Sequence, residues 1–405
     1  HADIVEASKE HALHEGDRII MKVLEWGDQS SPTRTQMSHY IGHISDPSCD
    51  LRAIIEEYGL KDDFPGKVLN EVKAFGTRVN ASEIKNRKDY RNEITVTIDP
   101  DTAKDFDDAL TISQDKKGNT HLIVHIADVS HYVQPDSILD EEAYDRATSV
   151  YLVDRVIPML PEVLSNGACS LRPHEEKYTF SAVFTVNNKM QIEKEWFGKT
   201  IILSNHRFSY EEVQYILDSQ DSSVGKEASI TGEEYKVSNK IFDALKQLDI
   251  FAKILRNRRM SKGALSFDRV EVKFNLDNEN NPESIFFKSS RDAHKLVEEF
   301  MLLANRRVAE FIGKQKPVKS FVYRVHDLPD EDKLNNLKKV VTNLGYQLNL
   351  ESKQVNMALN KLLMDSHGEK EQQLIDTLAI RCMSKAVYTK DNKVHYGLAF
   401  DYYTQ

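Results

Sequence analysis

The sequence predicts an α+β chain, and three observations carry that prediction. Short β-branched runs with apolar residues at every second position crowd the stretch 94–203. From residue 233 onward, apolar residues recur mainly at helical spacing. Residues 16–26 begin with a turn glycine and continue as an apolar run (RIIMKVLEW), which reads as a strand from the tail of a small β-barrel.

The elements follow in order. The polar stretch 30–35 reads as a loop. Residues 51–58 and 68–75 have helical spacing and are separated by the breaker Phe64-Pro65-Gly66. Residues 94–98 (ITVTI) form a strand that runs straight into Asp99. A short strand at 109–113, a turn at Lys116-Lys117-Gly118-Asn119 and a returning strand at 121–129 make a hairpin. Strands at 179–186 and 192–203 flank an Asn187-Asn188 turn. Thr231-Gly232 opens a long helix over 233–260, and residues 270–274 and 282–287 form a second hairpin. The spacing predicts helices over 292–314, where Leu296, Phe300, Leu303 and Val308 share a face, and over 330–344, 352–366 and 371–388.

Composition narrows the function classes. With 405 residues, 40% of them hydrophobic, the chain can bury a large core and divide into two or three domains. No run of 18 apolar residues occurs, so no segment is expected to cross a membrane, and the polar opening residues carry no export signal. The chain does not begin with Met, so its natural start is expected to lie elsewhere. Cys49, Cys169 and Cys382 lie far apart with no Cys-x-x-Cys spacing, which suits a reduced, cytoplasmic protein. The net charge of −10 argues against a strongly basic nucleic-acid binder. Two local basic runs oppose it: KILRNRRMSK at 253–262, and Arg306, Arg307, Lys314, Lys316 and Lys319. Each is either a phosphate-facing surface or a solvated helix face.

The densest chemical feature is IDPDTAKDFDDAL at 98–110, five carboxylates in a loop between a strand and a hairpin. Such crowding is costly unless cations offset it, and carboxylate oxygens suit Mg²⁺ or Mn²⁺. Carboxylates on a strand end can hold two ions about 4 Å apart, an arrangement that serves phosphodiester cleavage. Three other readings stay open on these residues alone. A calcium loop lacks its glycine at the sixth position, a phosphatase with Asp99 as nucleophile finds Ala103 where it wants Thr or Val, and an acidic surface turn needs no ligand. His121 and His125, four apart on a strand, read as structural.

At these residues the chain resembles the ribonuclease II and ribonuclease R family, whose RNB-type catalytic domain carries a strand followed by Asp-x5-Asp-x-Asp-Asp. Asp99, Asp105, Asp107 and Asp108 match it. HIADVSHYV at 125–133, TSVYLVDRVIPMLP at 148–161, Cys169-Ser170-Leu171, HKLVEEFMLLAN at 294–305, Tyr323-Arg324-Val325-His326 and His395-Tyr396-Gly397-Leu398 follow in family order. The segment at 148–161 is more similar to ribonuclease R than to ribonuclease II. The resemblance implies a mixed sheet wrapped by helices around an RNA channel. It also implies a remnant of a cold-shock-like OB barrel at 1–45, a helical linker at 46–90 and the catalytic domain at 91–405. The implied activity is Mg²⁺-dependent (or Mn²⁺-dependent), processive 3′→5′ hydrolysis of a single-stranded RNA 3′ end to nucleoside 5′-monophosphates, by a monomer.

Residue by residue, the resemblance implies metal contacts for Asp99 and Asp108, and a supporting role for Asp105, directly or through water. Asp107 would meet metal or the terminal ribose hydroxyl. Tyr151 and Phe267 would pack on bases near the 3′ end, and Glu298 would lie near the end of the RNA path. Stacking suits a sequence-tolerant enzyme, at about 1–3 kcal/mol per base, and the terminal 2′-OH distinguishes RNA from DNA. On the residues alone Tyr151, beside Leu152, reads rather as a core aromatic, Phe267 more strongly so, and Glu298 could be a solvated helix residue. His294, His326 and His395 sit in family blocks without an assignable chemical step. The chain stops at Gln405, before the family's His-Phe-Thr-Ser-Pro-Ile-Arg-Arg segment, so an active site lacking that Arg is expected within these residues.

Overall fold

A computed structural model describes residues 2–6, 13–46, 48–76, 78–115, 118–187, 189–267, 270–277, 282–350 and 355–405. Lys116, Lys117 and Asn188 of the two expected turns, and positions 352–354 of one expected helix, lie outside the described residues. The chain divides into two compact units, the first comprising residues 1–76, 132–165 and 271–288, the second the remainder.

In the first unit, strands Ala2–Glu6, Asp17–Glu25 and Thr33–His43 form a three-stranded sheet with Thr33–His43 in the middle. The loop expected at 30–35 is shorter than its polarity suggested. Asp28 closes the turn by accepting from the Ser30 and Ser31 amides (2.7 and 2.9 Å), so Thr33 to Thr35 already pair in the ladder. Helix Gly66–Lys73 packs on helix Ile138–Arg146, and Glu71 accepts from the Leu139 amide (3.1 Å). The short hairpin Val150–Tyr151 and Val156–Ile157 also belongs here.

The second unit is built on a seven-stranded mixed sheet. Its strands are β1 (Lys88–Asp89), β2 (Thr95–Asp99), β3 (Asp108–Gln114), β4 (Thr120–Ala127), β5 (Glu176–Val186), β6 (Ile192–Leu203) and β7 (His206–Ser209), in the order β7-β2-β3-β4-β5-β6-β1. The outer pairs β7·β2 and β6·β1 are parallel, and the rest are antiparallel. Because successive side chains alternate between faces, the two faces differ. Val96, Ile98, Leu110, Ile112, Leu122, Val124, Ala182, Phe184 and Val186 point into the main core. There they meet helices α1 (Tyr210–Ser219), α2 (Asn239–Ser261) and α3 (Asp292–Gly313) through residues such as Val213, Leu245, Phe251, Leu296 and Phe300.

The opposite face is polar and equally buried. Thr95 shares a hydrogen bond with Thr111 (2.6 Å), Thr111 with His125 (3.1 Å), His125 with Ser181 (2.7 Å), and Ser181 with Thr200, which in turn meets Thr179 (2.6 Å). This chain of side chains crosses five strands and keeps every member paired, as burial requires. It gives His125 a structural place, and burial pushes its imidazole pKa down to about 3, so the ring is neutral.

Helices α4 (Glu331–Asn343), α5 (Val355–Asp365) and α6 (Gln372–Cys382) form a separate core of their own around Leu337, Val341, Leu359, Leu362 and Ile375. Two expected helices are shortened by strand pairing. The helix expected at 233 begins at Asn239, capped by Ser238, because Tyr235–Lys236 pairs with Ser223–Val224. The helix expected to reach 388 ends at Cys382, because Val387–Thr389 pairs with Tyr323–Val325.

Candidate active site

The aspartates sit where the sheet's ladder opens into a loop. Asp99 ends β2 and Asp108 begins its antiparallel neighbour β3, so their backbones run side by side with residues 100–107 looping between them. On the other side of β2, Ser209 at the end of β7 lies opposite Asp99 in register. Ser209 then caps α1: its hydroxyl accepts from the Glu212 amide (3.1 Å), and the Glu212 carboxylate accepts from the Ser209 amide (2.8 Å).

The loop is pinned at several points. The buried Ser170 hydroxyl donates to the Lys104 carbonyl (2.8 Å) and accepts from the Phe106 amide (3.0 Å). The Leu171 amide donates to the Phe106 carbonyl and the Ala127 amide to the Asp107 carbonyl, both at 2.9 Å. Arg207 of β7 donates through Nη2 to the carbonyls of Pro100 (2.9 Å) and Asp101 (2.7 Å).

The electrostatics are those of crowded carboxyls with little compensating positive charge. The Asp99 carboxyl is pushed up to about 8, by burial first and then by Asp108 and Asp107, with Arg207 and Thr97 opposing. Asp108 is pushed up to about 6 by burial and by Asp107. Asp107 keeps solvent access, yet the surrounding protein desolvates it enough to raise its pKa, and Asp105 adds repulsion. Burial, then the charges of Asp108 and Asp99, also raise the Tyr210 hydroxyl pKa; the Tyr210 ring stacks on His294 (centroids 4.1 Å, planes 11° apart).

The electrostatic couplings run Asp99 to Asp108 and Asp107, Asp108 to Asp107, and Asp107 to Asp105, so the four expected residues form one neighbourhood. They do not form a finished cage. Among the described residues, no three His, Cys, Asp or Glu side chains converge as metal ligands. Mutual repulsion holds carboxylates apart until a cation draws them in. The fit to a hard divalent ion rests on Asp99, whose Oδ2 is buried with no hydrogen-bond partner among the described residues. An anionic oxygen in that position calls for a cation or a proton.

The other expected residues have different surroundings. Tyr151 lies in the first unit, 72% exposed. Phe267 is half-buried against the α4–α6 core, and Glu298 is ion-paired with Arg259 (3.2 Å). The basic runs are largely engaged inside the protein. Lys253 pairs with Asp249 and Asp292, Arg258 donates to the Lys189 and Met190 carbonyls, Arg259 pairs with buried Glu299, and Arg307 pairs with Glu195 and Glu310. Sequence reasoning missed Arg207 and Tyr210, which lie in no motif, and it saw Ser170 only as part of a matching block.

Residues 87–405 match the RNB domain, and residues 1–65 match a cold shock domain. The chain belongs to the RNB family. Among curated RNB relatives, it is 35% identical to Ribonuclease R 2 of Lactococcus lactis over 97% of its own length and 57% of that protein. It is also 35% identical to DIS3-like exonuclease 2 of Schizosaccharomyces pombe, over 98% of this chain and 43% of that protein. The chain therefore spans about half the length of these relatives. Among solved structures, Mycoplasma genitalium RNase R in complex with ribose-methylated single-stranded RNA superposes with a TM-score of 0.87 at 25% identity, covering 99% of this chain and 61% of that one. Yeast Ssd1, a pseudonuclease, shares the fold with a TM-score of 0.70 at 18% identity, over 96% of this chain and 47% of its own. Among the described residues of this RNB chain, no helix is long and apolar enough to cross a membrane.

Proposed function

We propose that the chain carries the catalytic centre of a 3′→5′ exoribonuclease that hydrolyses single-stranded RNA to nucleoside 5′-monophosphates with Mg²⁺ or Mn²⁺. The observation that carries this reading is the buried Asp99 oxygen, without a hydrogen-bond partner among the described residues, beside Asp107 and Asp108 at the open end of the sheet. Fold alone does not decide the matter, since the pseudonuclease shares it.

Asp99, Asp107 and Asp108 would hold the metal, with Asp105 in support. A bound divalent ion supplies charge that lowers the pKa of the attacking water and stabilises the leaving oxygen. The protein's part is to fix these carboxylates at a strand end and a pinned loop, so that little reorganisation accompanies the reaction. Asp107, the more open of the central pair, would meet substrate as well as metal. The exposed ring of Tyr151 offers a face for a base, a contact tolerant of base identity.

The test is hydrolysis of 5′-labelled single-stranded RNA by the full-length protein. With Mg²⁺ it should shorten from the 3′ end and release 5′-monophosphates; EDTA should stop the reaction, and Asp107→Asn should reduce kcat by about 100-fold or more without altering the fold. RNA left intact with Mg²⁺, or turnover unchanged in Asp107→Asn, would overturn the reading. Intact RNA that is nevertheless bound would favour a non-catalytic RNA scaffold.

A further inference from the structure

We propose that Arg207 is a positioning residue that draws the two arms of the aspartate loop together and so sets the spacing of the carboxylates. Its guanidinium touches both arms. On the first arm it donates to the carbonyls of Pro100 and Asp101, the two residues after Asp99. On the second arm it lies 5.2 Å from the ring centroid of Phe106, the residue before Asp107, within cation–π range. The loop leaves the sheet at Asp99 and re-enters it at Asp108, so a side chain that grips residues 100, 101 and 106 closes its neck.

The placement follows from the sheet. Arg207 lies opposite Thr97 in the parallel β7·β2 ladder, so it shares a strand face with Thr97 and Asp99. Phe106 is buried and cannot swing away, and its amide and carbonyl are held by Ser170 and Leu171. Ser170 and Leu171 fix the second arm, and Arg207 joins the first arm to it. Nη2 alone meets both carbonyls, so a lysine could replace those bonds, but its compact ammonium lacks the extended planar group that lies over the Phe106 ring at the same time.

A plainer role would be charge alone, and the two roles predict opposite signs. As a bare positive charge near Asp99, Arg207 would repel an incoming cation, so its removal would tighten metal binding. As a clamp, it pre-forms the carboxylate spacing, so its removal loosens metal binding despite the lost repulsion. Residues that orient metal ligands commonly change affinity by about 10–100-fold when altered.

This inference rests on the proposed metal site, so no saturable Mn²⁺ uptake by the unaltered protein would overturn both; only its kinetic arm rests also on the nuclease reading. Arg207→Lys and Arg207→Gln should be compared with the unaltered full-length protein by Mn²⁺ titration calorimetry, by hydrogen exchange of residues 101–106 without metal, and by kcat and KM on single-stranded RNA. Both variants should bind Mn²⁺ about tenfold more weakly or worse, exchange faster at 101–106, and lose kcat rather than raise KM, while the metal-free melting temperature shifts by no more than about 3 °C. Tighter or unchanged Mn²⁺ binding in Arg207→Gln, full rescue by Arg207→Lys, or failure of both variants to fold would overturn the proposal. If the unaltered protein binds Mn²⁺ yet leaves RNA intact, the nuclease reading falls, while the calorimetric and exchange arms still decide the role of Arg207.

Discussion

Two groups of buried charge in the sheet unit have opposite designs. Arg87 is fully buried against Asp128 (2.7 Å), with Glu83 at 3.2 Å, the carbonyls of Thr179 and Thr200 at 3.3 Å, and the Tyr178 ring at 4.3 Å. Its anions have a cation beside them. The aspartate loop gathers more carboxylates with no ion pair among the described residues; Arg207, whose charge opposes the rise of the Asp99 pKa, donates to backbone carbonyls instead. A matched set of buried charges holds the fold, whereas an unmatched one costs stability and persists where a ligand completes it.

The contrast can be broken first at Arg87. Arg87→Met leaves Asp128 buried without its cation and should destabilise the protein by about 3–5 kcal/mol, measured by urea unfolding, while Mn²⁺ affinity stays unchanged. Arg87→Met with Asp128→Leu should recover much of that loss. A fall in Mn²⁺ affinity in the single variant would show that the two groups are not separate.

A smaller effect should appear in the pH dependence of metal-free stability. The Asp99 pKa is raised in the folded state from its ordinary 3.8 to about 8, and that of Asp108 to about 6. A carboxyl raised on folding favours the fold most when protonated. Its destabilising contribution therefore begins near its unfolded pKa, grows with pH, and levels off above the folded one. Relative to Asp99→Asn, the unaltered protein should lose roughly 2–4 kcal/mol between pH 5 and pH 8, and Mn²⁺ should remove most of that difference. Parallel stability curves for the two proteins would mean that Asp99 is already compensated.

Much of this was legible in the sequence, for physical reasons that can be named. The strand expected at 94–98 is observed as Thr95–Asp99, because alternation of β-branched and apolar residues carries its own period. The strand expected at 192–203 has those same ends in the structure. The aspartate loop was visible because carboxylate crowding within one short segment is a local property. Strand partners are not local. Nothing in residues 383–389 announces that Val387 will pair with Val325, or in 235–236 that a strand precedes the helix. The same limit hid Arg207, which lies 106 residues from Asp101 along the chain, and the polar ladder centred on His125, whose partners come from four other strands. The basic runs misled for a related reason: their charge is plain in sequence, but the carboxylates and carbonyls that engage it are distant.

We propose that the open end of this sheet is an anionic site completed by a divalent cation. Titration of Mn²⁺ into the metal-free, full-length protein at pH 7.5, followed by the loss of free-ion paramagnetic resonance signal, tests it directly. Uptake should be saturable, weakened by about tenfold or more by each of Asp99→Asn and Asp108→Asn, and unaffected by Arg87→Met. Absence of saturable uptake, or uptake indifferent to both aspartate substitutions, would contradict it.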